Sequence, residues 1–126
     1  MVFYRRHMRR LDPWPECLNR TFAEMAQSEV YRTMWGRVNF TSRAPARRRI
    51  EDRLRKVRVP TLVLGGRYDE ATPAIMETLH RGISGSECVI FEQSAQMPHL
   101  EETALYLETV NSFLARVEAT TQPGEA

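Results

Sequence analysis

Apolar positions along this chain follow two rhythms. Between Val59 and Phe91 they come in short runs, and elsewhere they recur every three or four residues. Thr61-Leu62-Val63-Leu64, opened by Pro60 and closed by Gly65-Gly66, predicts a short strand apolar on both faces. That is the pattern of a parallel sheet covered above and below. Glu87 to Phe91 predicts a second strand. Between them, Ile75, Met76 and Leu79 predict a helix over Pro73 to Arg81, with Thr72 as N-cap and Pro73 as first residue. Gly82 and Ser84-Gly85-Ser86 form the turn that follows. Strand, helix and strand within ~30 residues make a right-handed βαβ unit.

The flanks read as helices. Apolar residues at positions 3, 4, 8 and 11 predict the end of a helix that should begin before Met1. The two prolines of Asp12-Pro13-Trp14-Pro15 break it. Glu16 to Gln27 predicts an amphipathic helix with Leu18, Phe22, Met25 and Ala26 on one face. Ser28 to Trp35 is a short helical or irregular piece ending at Gly36. Thr41 to Arg49 is polar and basic without periodicity, a loop or disordered connector, and Arg47-Arg48-Arg49 reads as a solvated charge run. Ile50 to Val57 predicts a short helix. After a loop from Glu92 to Pro98, Glu101 to Val117 predicts the last helix. Its buried stripe is Leu105, Leu107, Val110, Phe113, Leu114 and Val117, and residues 118–126 form a frayed tail. Two parallel strands do not complete a sheet. The first strand expects a neighbour on each side, so one edge stays open and sticky. The chain reads as the back part of a larger α/β domain.

Composition narrows this little. The chain has 126 residues, enough for one modest domain, and its 42% hydrophobic and 27% charged content is ordinary for a globular protein. No apolar run approaches the ~20 residues of a membrane span, and the first residues lack a signal-peptide core, so a cytoplasmic location is expected. Cys17 and Cys88 lie far apart without CxxC spacing, which predicts two buried free thiols and neither a disulfide nor a zinc site. Charge does change the picture. Residues 1–60 carry 15 Lys+Arg against 6 Asp+Glu, or +9, and residues 61–126 carry 3 against 10, or −7. The halves could attract each other, or the first could take an acidic partner. Its arginines are scattered among Trp14, Phe22, Tyr31 and Trp35 with no zinc-finger or RNA-binding signature, so nucleic acid is not the favoured partner.

Candidate chemistry sits just past the first strand. Asp69 and Glu70 fall at its carboxyl end, where ligands and catalytic groups collect in open α/β sheets. On spacing alone, Asp69 reads equally well as a turn aspartate and Glu70 as a first-turn acid facing the helix dipole.

With these residues placed, the chain resembles the carboxyl-terminal portion of the proline iminopeptidase (prolyl aminopeptidase) family of α/β-hydrolases. The matching stretches are Phe3 to His7, Arg10-Leu11-Asp12-Pro13-Trp14-Pro15, Val30 to Gly36, Val59 to Leu64, Gly66-Arg67-Tyr68-Asp69-Glu70-Ala71-Thr72-Pro73 and Met97 to Glu102. They cover most of residues 3–117. The resemblance implies an α/β fold class: the carboxyl-terminal fragment of an α/β-hydrolase fold, two parallel strands with flanking helices, preceded by part of a helical cap. Residues 1–40 would belong to that cap, 41–58 to a basic connector and short helix, 59–117 to the last strands and helices of the core, and 118–126 to a flexible tail.

The chemistry the resemblance implies is serine hydrolysis without metal or cofactor, releasing N-terminal proline or a similar residue from a peptide or amino-acid amide. A serine attacks, a histidine carries its proton, and an acid orients the histidine. Asp69 matches the acid. Glu70 matches an acidic residue that helps hold the substrate's α-amino group. The departures are as informative. No serine lies in Gly-x-Ser-x-Gly. Where the family has Ser-x-His-Met-Pro-His, this chain has Ser94-Ala95-Gln96-Met97-Pro98-His99, so Gln96 occupies the catalytic histidine position. A glutamine amide takes up no proton near neutral pH. His99 remains as a secondary candidate base and reads equally as a loop histidine. Asn39 stands where the family's cap has a Glu that also holds the substrate amine, with Arg37 nearby. The expectation is therefore an aminopeptidase-like hydrolase that is catalytically incomplete on its own. The alternative is an interaction module, or half of a split hydrolase, that pairs through its open sheet edge with a copy of itself or an amino-terminal half-domain.

Overall fold

The computed structural model describes residues 2–35 and 50–121. The chain divides into two compact units, residues 12–49 and residues 1–11 together with 50–126. The first eleven residues thus cluster with the strands, not with the helices that follow them.

The unit 12–49 is built on two helices. The Asp12–Pro13 peptide is cis, and Pro15 precedes α1 (Glu16–Gln27), which spans the predicted range. Leu18 is its buried residue. Phe22 is half-buried and lies against Trp14, ring centroids 5.4 Å apart, while Ala26, expected on the same face, is exposed. Cys17 is exposed as well, so the expectation of a buried thiol fails there; it follows Glu16 on the polar side of α1. The segment left as helical or irregular is helix α2 (Glu29–Trp35). Ser28 caps it: its Oγ accepts the Tyr31 N–H at 3.1 Å. Asn39 and the connector 41–49 lie outside the described residues.

In the other unit, residues 4–8 form one π-helical turn and Arg9 behind it is extended. The helix expected over 50–57 shortens to α3 (Glu51–Leu54) and a turn. Strand β1 (Leu62–Gly66) pairs in parallel with β2 (Glu87–Phe91), in the register Leu62↔Glu87 to Gly66↔Phe91. Helix α4 (Pro73–Gly82) connects them, with Pro73 at its start. Thr72 stands at the N-cap position, but its hydroxyl makes no cap bond. Among the described residues neither outer edge of this sheet is paired.

The core is Leu54, Val63, Met76, Ile83, Phe91 and Ala95, with Phe91 and Ala95 wholly buried. A Cβ on Gly82 would stand 2.5 Å from Leu54 Cδ1, so the end of α4 takes a glycine to let α3 close on it. A short turn, α5 (Pro98–Glu101), leads to α6 (Thr103–Thr121). Residues 118–121, expected in the tail, continue the helix, and Thr120 Oγ donates to the Val117 carbonyl at 2.8 Å.

Helix α6 departs from expectation in its apolar stripe. Tyr106, Val110, Phe113 and Val117, spaced four, three and four apart, are half-buried, and Tyr106 meets Phe91 at 6.0 Å. Leu105, Leu107 and Leu114, expected in the same stripe, are 46%, 51% and 46% exposed. The helix is apolar on more than one side, and two strands cover only one. Cys88 is half-buried, and no disulfide joins it to Cys17.

Candidate functional site

The strands end level, so the turns that follow them rise from one edge. Beyond β1, the Arg67 N–H continues the ladder to the Phe91 carbonyl at 2.9 Å. The Tyr68 N–H then donates to the Ser94 carbonyl at 3.0 Å, joining one turn to the other. Gly66 makes this possible, because a Cβ there would stand 1.9 Å from the Ala95 carbonyl oxygen and 2.3 Å from that of Ser94.

Asp69 is 8% exposed at this junction. Its Oδ1 accepts the Ala71 N–H at 2.9 Å, an Asx turn that fixes the path from strand to helix. Burial holds its carboxyl above the usual aspartate range, and the N–H groups of Ala71 and Glu70 and the nearby His7 pull it partly back. Nδ1 of His7 lies 2.9 Å from the Tyr68 carbonyl. That nitrogen carries the proton, because a carbonyl only accepts. The Arg10 guanidinium lies over the Tyr68 ring, 3.6 Å from its centroid. Residues 7 to 10 therefore brace the turn that carries Asp69.

The second turn is held by two carboxylates. Glu101 Oε2 accepts the Ala95 N–H at 2.8 Å, and its Oε1 accepts the Arg10 N–H. Glu102 Oε2 accepts the Gln93 N–H at 3.1 Å and the Ser94 hydroxyl. With both flanks pinned, Gln96 extends its amide to Glu70, Nε2 to Oε1 3.4 Å.

The structure thus brings Asp69, Glu70 and Gln96 to one edge. It does not bring His99 there. His99 is exposed on α5 and faces Tyr106 edge-on at 5.9 Å, and no hydrogen bond or ion pair ties it to Asp69, Glu70 or Gln96. A serine–histidine contact exists elsewhere, His80 Nδ1 to Ser86 Oγ at 2.9 Å. The Ser86 hydroxyl faces the carbonyls of His80 and Ile83, so this pair closes the turn after α4 and offers no nucleophile. Ser94 is fully buried and engaged by Glu102. Among the described residues no group of three or more His, Cys, Asp or Glu is placed to hold a metal ion, and no helix is long and apolar enough to cross a membrane.

The Glu101–Glu102 clamp was not assigned a role from sequence. Its only signal was two adjacent acids just ahead of the long helix, where first-turn acids are common. The bracing by His7 and Arg10 joins residues some sixty and ninety positions apart and leaves no local signature.

A parallel strand pair bridged by a helix, backed by a final long helix and gathering its acids in the turns beyond the strand ends, is the carboxyl-terminal part of an α/β-hydrolase fold. The crystal structure of proline iminopeptidase from Mycobacterium smegmatis matches with a TM-score of 0.85 at 30% identity, over 96% of this chain and 41% of that one. The crystal structure of VinJ matches at 0.80 and 36% identity, over 92% and 40%. In sequence, the proline iminopeptidase of Saccharolobus solfataricus is 37% identical over 116 residues, 91% of this chain and 37% of the relative. No family model matches. The chain is a homologue of the proline iminopeptidases over most of its length, and it spans about 40% of the length of the relatives it matches.

Proposed function

We propose that Asp69, Glu70 and the turn bearing Gln96 form the acid side of a proline iminopeptidase-like site, and that this chain by itself does not turn over substrate. The substrate class is a peptide or amino-acid amide with a free N-terminal proline or similar residue. In this reading Asp69 stands in the triad acid position, Glu70 and Asn39 line the place of the α-ammonium group, and residues 1–40 and 59–117 are the cap and core portions. The observation that carries the proposal is the Gln96 amide at Glu70, 3.4 Å away, on the turn where the family resemblance sets the base. Asp69 is dry and fixed, as an orienting acid must be, yet no imidazole is bonded to it. A neutral amide neither takes the proton of an attacking hydroxyl nor returns it to a leaving amine. The exposed thiol of Cys17 and the half-buried one of Cys88 fit a reducing cytoplasm.

Hydrolysis of proline 4-nitroanilide by the purified chain, with and without Gln96→His, tests this. Both forms are expected at the buffer rate, because loss of triad members costs about 10⁴- to 10⁶-fold. Turnover by the unaltered chain at a rate usual for a serine aminopeptidase would overturn the proposal.

A second reading is supported by the unpaired sheet edges together with the exposed Leu105, Leu107 and Leu114 of α6. It makes the chain an association module that buries these surfaces against a copy of itself or an amino-terminal half-domain. Light scattering after size exclusion separates the two, since a clean monomer at high micromolar concentration removes self-association.

A further inference from the structure

The geometry points to Gln96 as a built-in occupant of the Glu70 carboxylate, which an ammonium ligand must displace before it binds there. The inference rests on the reading of Glu70 as an ammonium-facing acid.

Both partners are preset by backbone. The turn before Gln96 is seated on Gly66, tied by the Tyr68 N–H to Ser94, and clamped by Glu101 at Ala95 and by Glu102 at Gln93 and Ser94. Ala95, immediately before Gln96, is wholly buried. On the other side the Asx turn of Asp69 fixes the backbone on both sides of Glu70. The two side chains therefore meet without a large loss of backbone freedom. A carboxylate only accepts, so the amide must face it through its NH₂ group. In this way Gln96 offers Glu70 the same kind of N–H donor that a substrate ammonium would offer, without the charge.

The missing charge makes the occupant displaceable. The Gln96 contact is 3.4 Å long and exposed, whereas a cationic N–H donor forms the shorter and stronger bond to a carboxylate. Gln96 thus screens Glu70 against weak donors and lowers the apparent affinity for ammonium ligands by the fraction of time it occupies the site.

The test uses the full chain labelled with ¹⁵N, with prolinamide as the probe and N-acetylprolinamide, which lacks the ammonium, as control. The Gln96 side-chain NH₂ signals are expected to move on titration with prolinamide and to stay still with the control. Gln96→Ala, and Gln96→Met, which keeps length but no donor, are expected to bind prolinamide about three- to ten-fold more tightly than the unaltered chain, the effect of one hydrogen bond to a charged group. Glu70→Gln is expected to abolish binding in every background. If the two Gln96 variants bind no more tightly while Glu70→Gln still abolishes binding, the occupant role is overturned and the reading of Glu70 stands. If none of the three Glu70-containing forms binds prolinamide, the reading of Glu70 falls and takes the inference with it. Tighter binding that survives Glu70→Gln also overturns the inference.

Discussion

Gly66 and Ala95 touch backbone to backbone: a side chain on Gly66 would begin 1.9 Å from the Ala95 carbonyl oxygen. That contact seats the turn after β2 on the end of β1. Gly66→Ala is therefore expected to destabilise the chain by about 1–3 kcal/mol, the cost of overpacking against atoms that cannot swing aside. Urea denaturation measures it. A change within about 0.5 kcal/mol would show that the turn moves freely.

Glu102 serves two donors, the Gln93 N–H and the Ser94 hydroxyl, and Ser94 is fully buried. Glu102→Ala leaves both without their acceptor and is expected to cost about 1–3 kcal/mol. Glu102→Gln keeps an acceptor oxygen and is expected to recover part of that loss. Equal losses in the two variants, read from denaturation midpoints, would assign the effect to charge instead of bonding.

Asp69 sets a pH dependence whose sign follows from its burial. Its folded-state pKa lies above the unfolded value. Between the two the folded chain binds more protons, so this group's contribution to stability falls as pH rises through that window. Asp69→Asn keeps the Oδ1 that accepts the Ala71 N–H and removes the charge. The variant is expected to be more stable than the unaltered chain at pH 7, and the difference is expected to vanish below about pH 3.9, the ordinary aspartate value. A difference constant from pH 3 to 8 would place the effect elsewhere.

Position on α6 separates packing from association. Phe113→Ala, on the half-buried side, is expected to cost more than 1 kcal/mol, while Leu107→Gln and Leu114→Gln, at 51% and 46% exposure, are expected within about 0.5 kcal/mol. The two leucine variants are expected to reduce any self-association seen in sedimentation. If the exposed leucines prove as costly in a dilute, monomeric sample, they pack against the chain itself.

The elements were legible wherever local chemistry punctuates the chain. Gly65-Gly66 and Pro73 bracket the turn that carries Asp69 and Glu70, and β2 spans its predicted residues. Burial on α6 was less so. Leu107 and Leu114 obey a helical period as well as Val110 and Phe113 do, and only the number of strands available to cover them decides between the two sides. Of the site, Asp69, Glu70 and Gln96 could be named from the resemblance and do meet at one edge. The bonds from Glu101 to Arg10 and Ala95 could not, because a carboxylate's partners depend on the folded path of distant backbone.

The register in which Gly66 faces Phe91 separates two lengths that sequence would join. Glu70 and Gln96 stand 26 positions apart, yet their distance is set by the few residues between each and its own strand end. Most of that interval, α4 and the turn at Gly85, loops away from the edge and returns. Lengthening or shortening the chain around Gly85 is absorbed at the far end of the strands and leaves the two side chains facing each other. The stretch from Gly66 to Thr72 and that from Phe91 to Met97 have no such slack, and a single inserted residue in either moves one partner off the other.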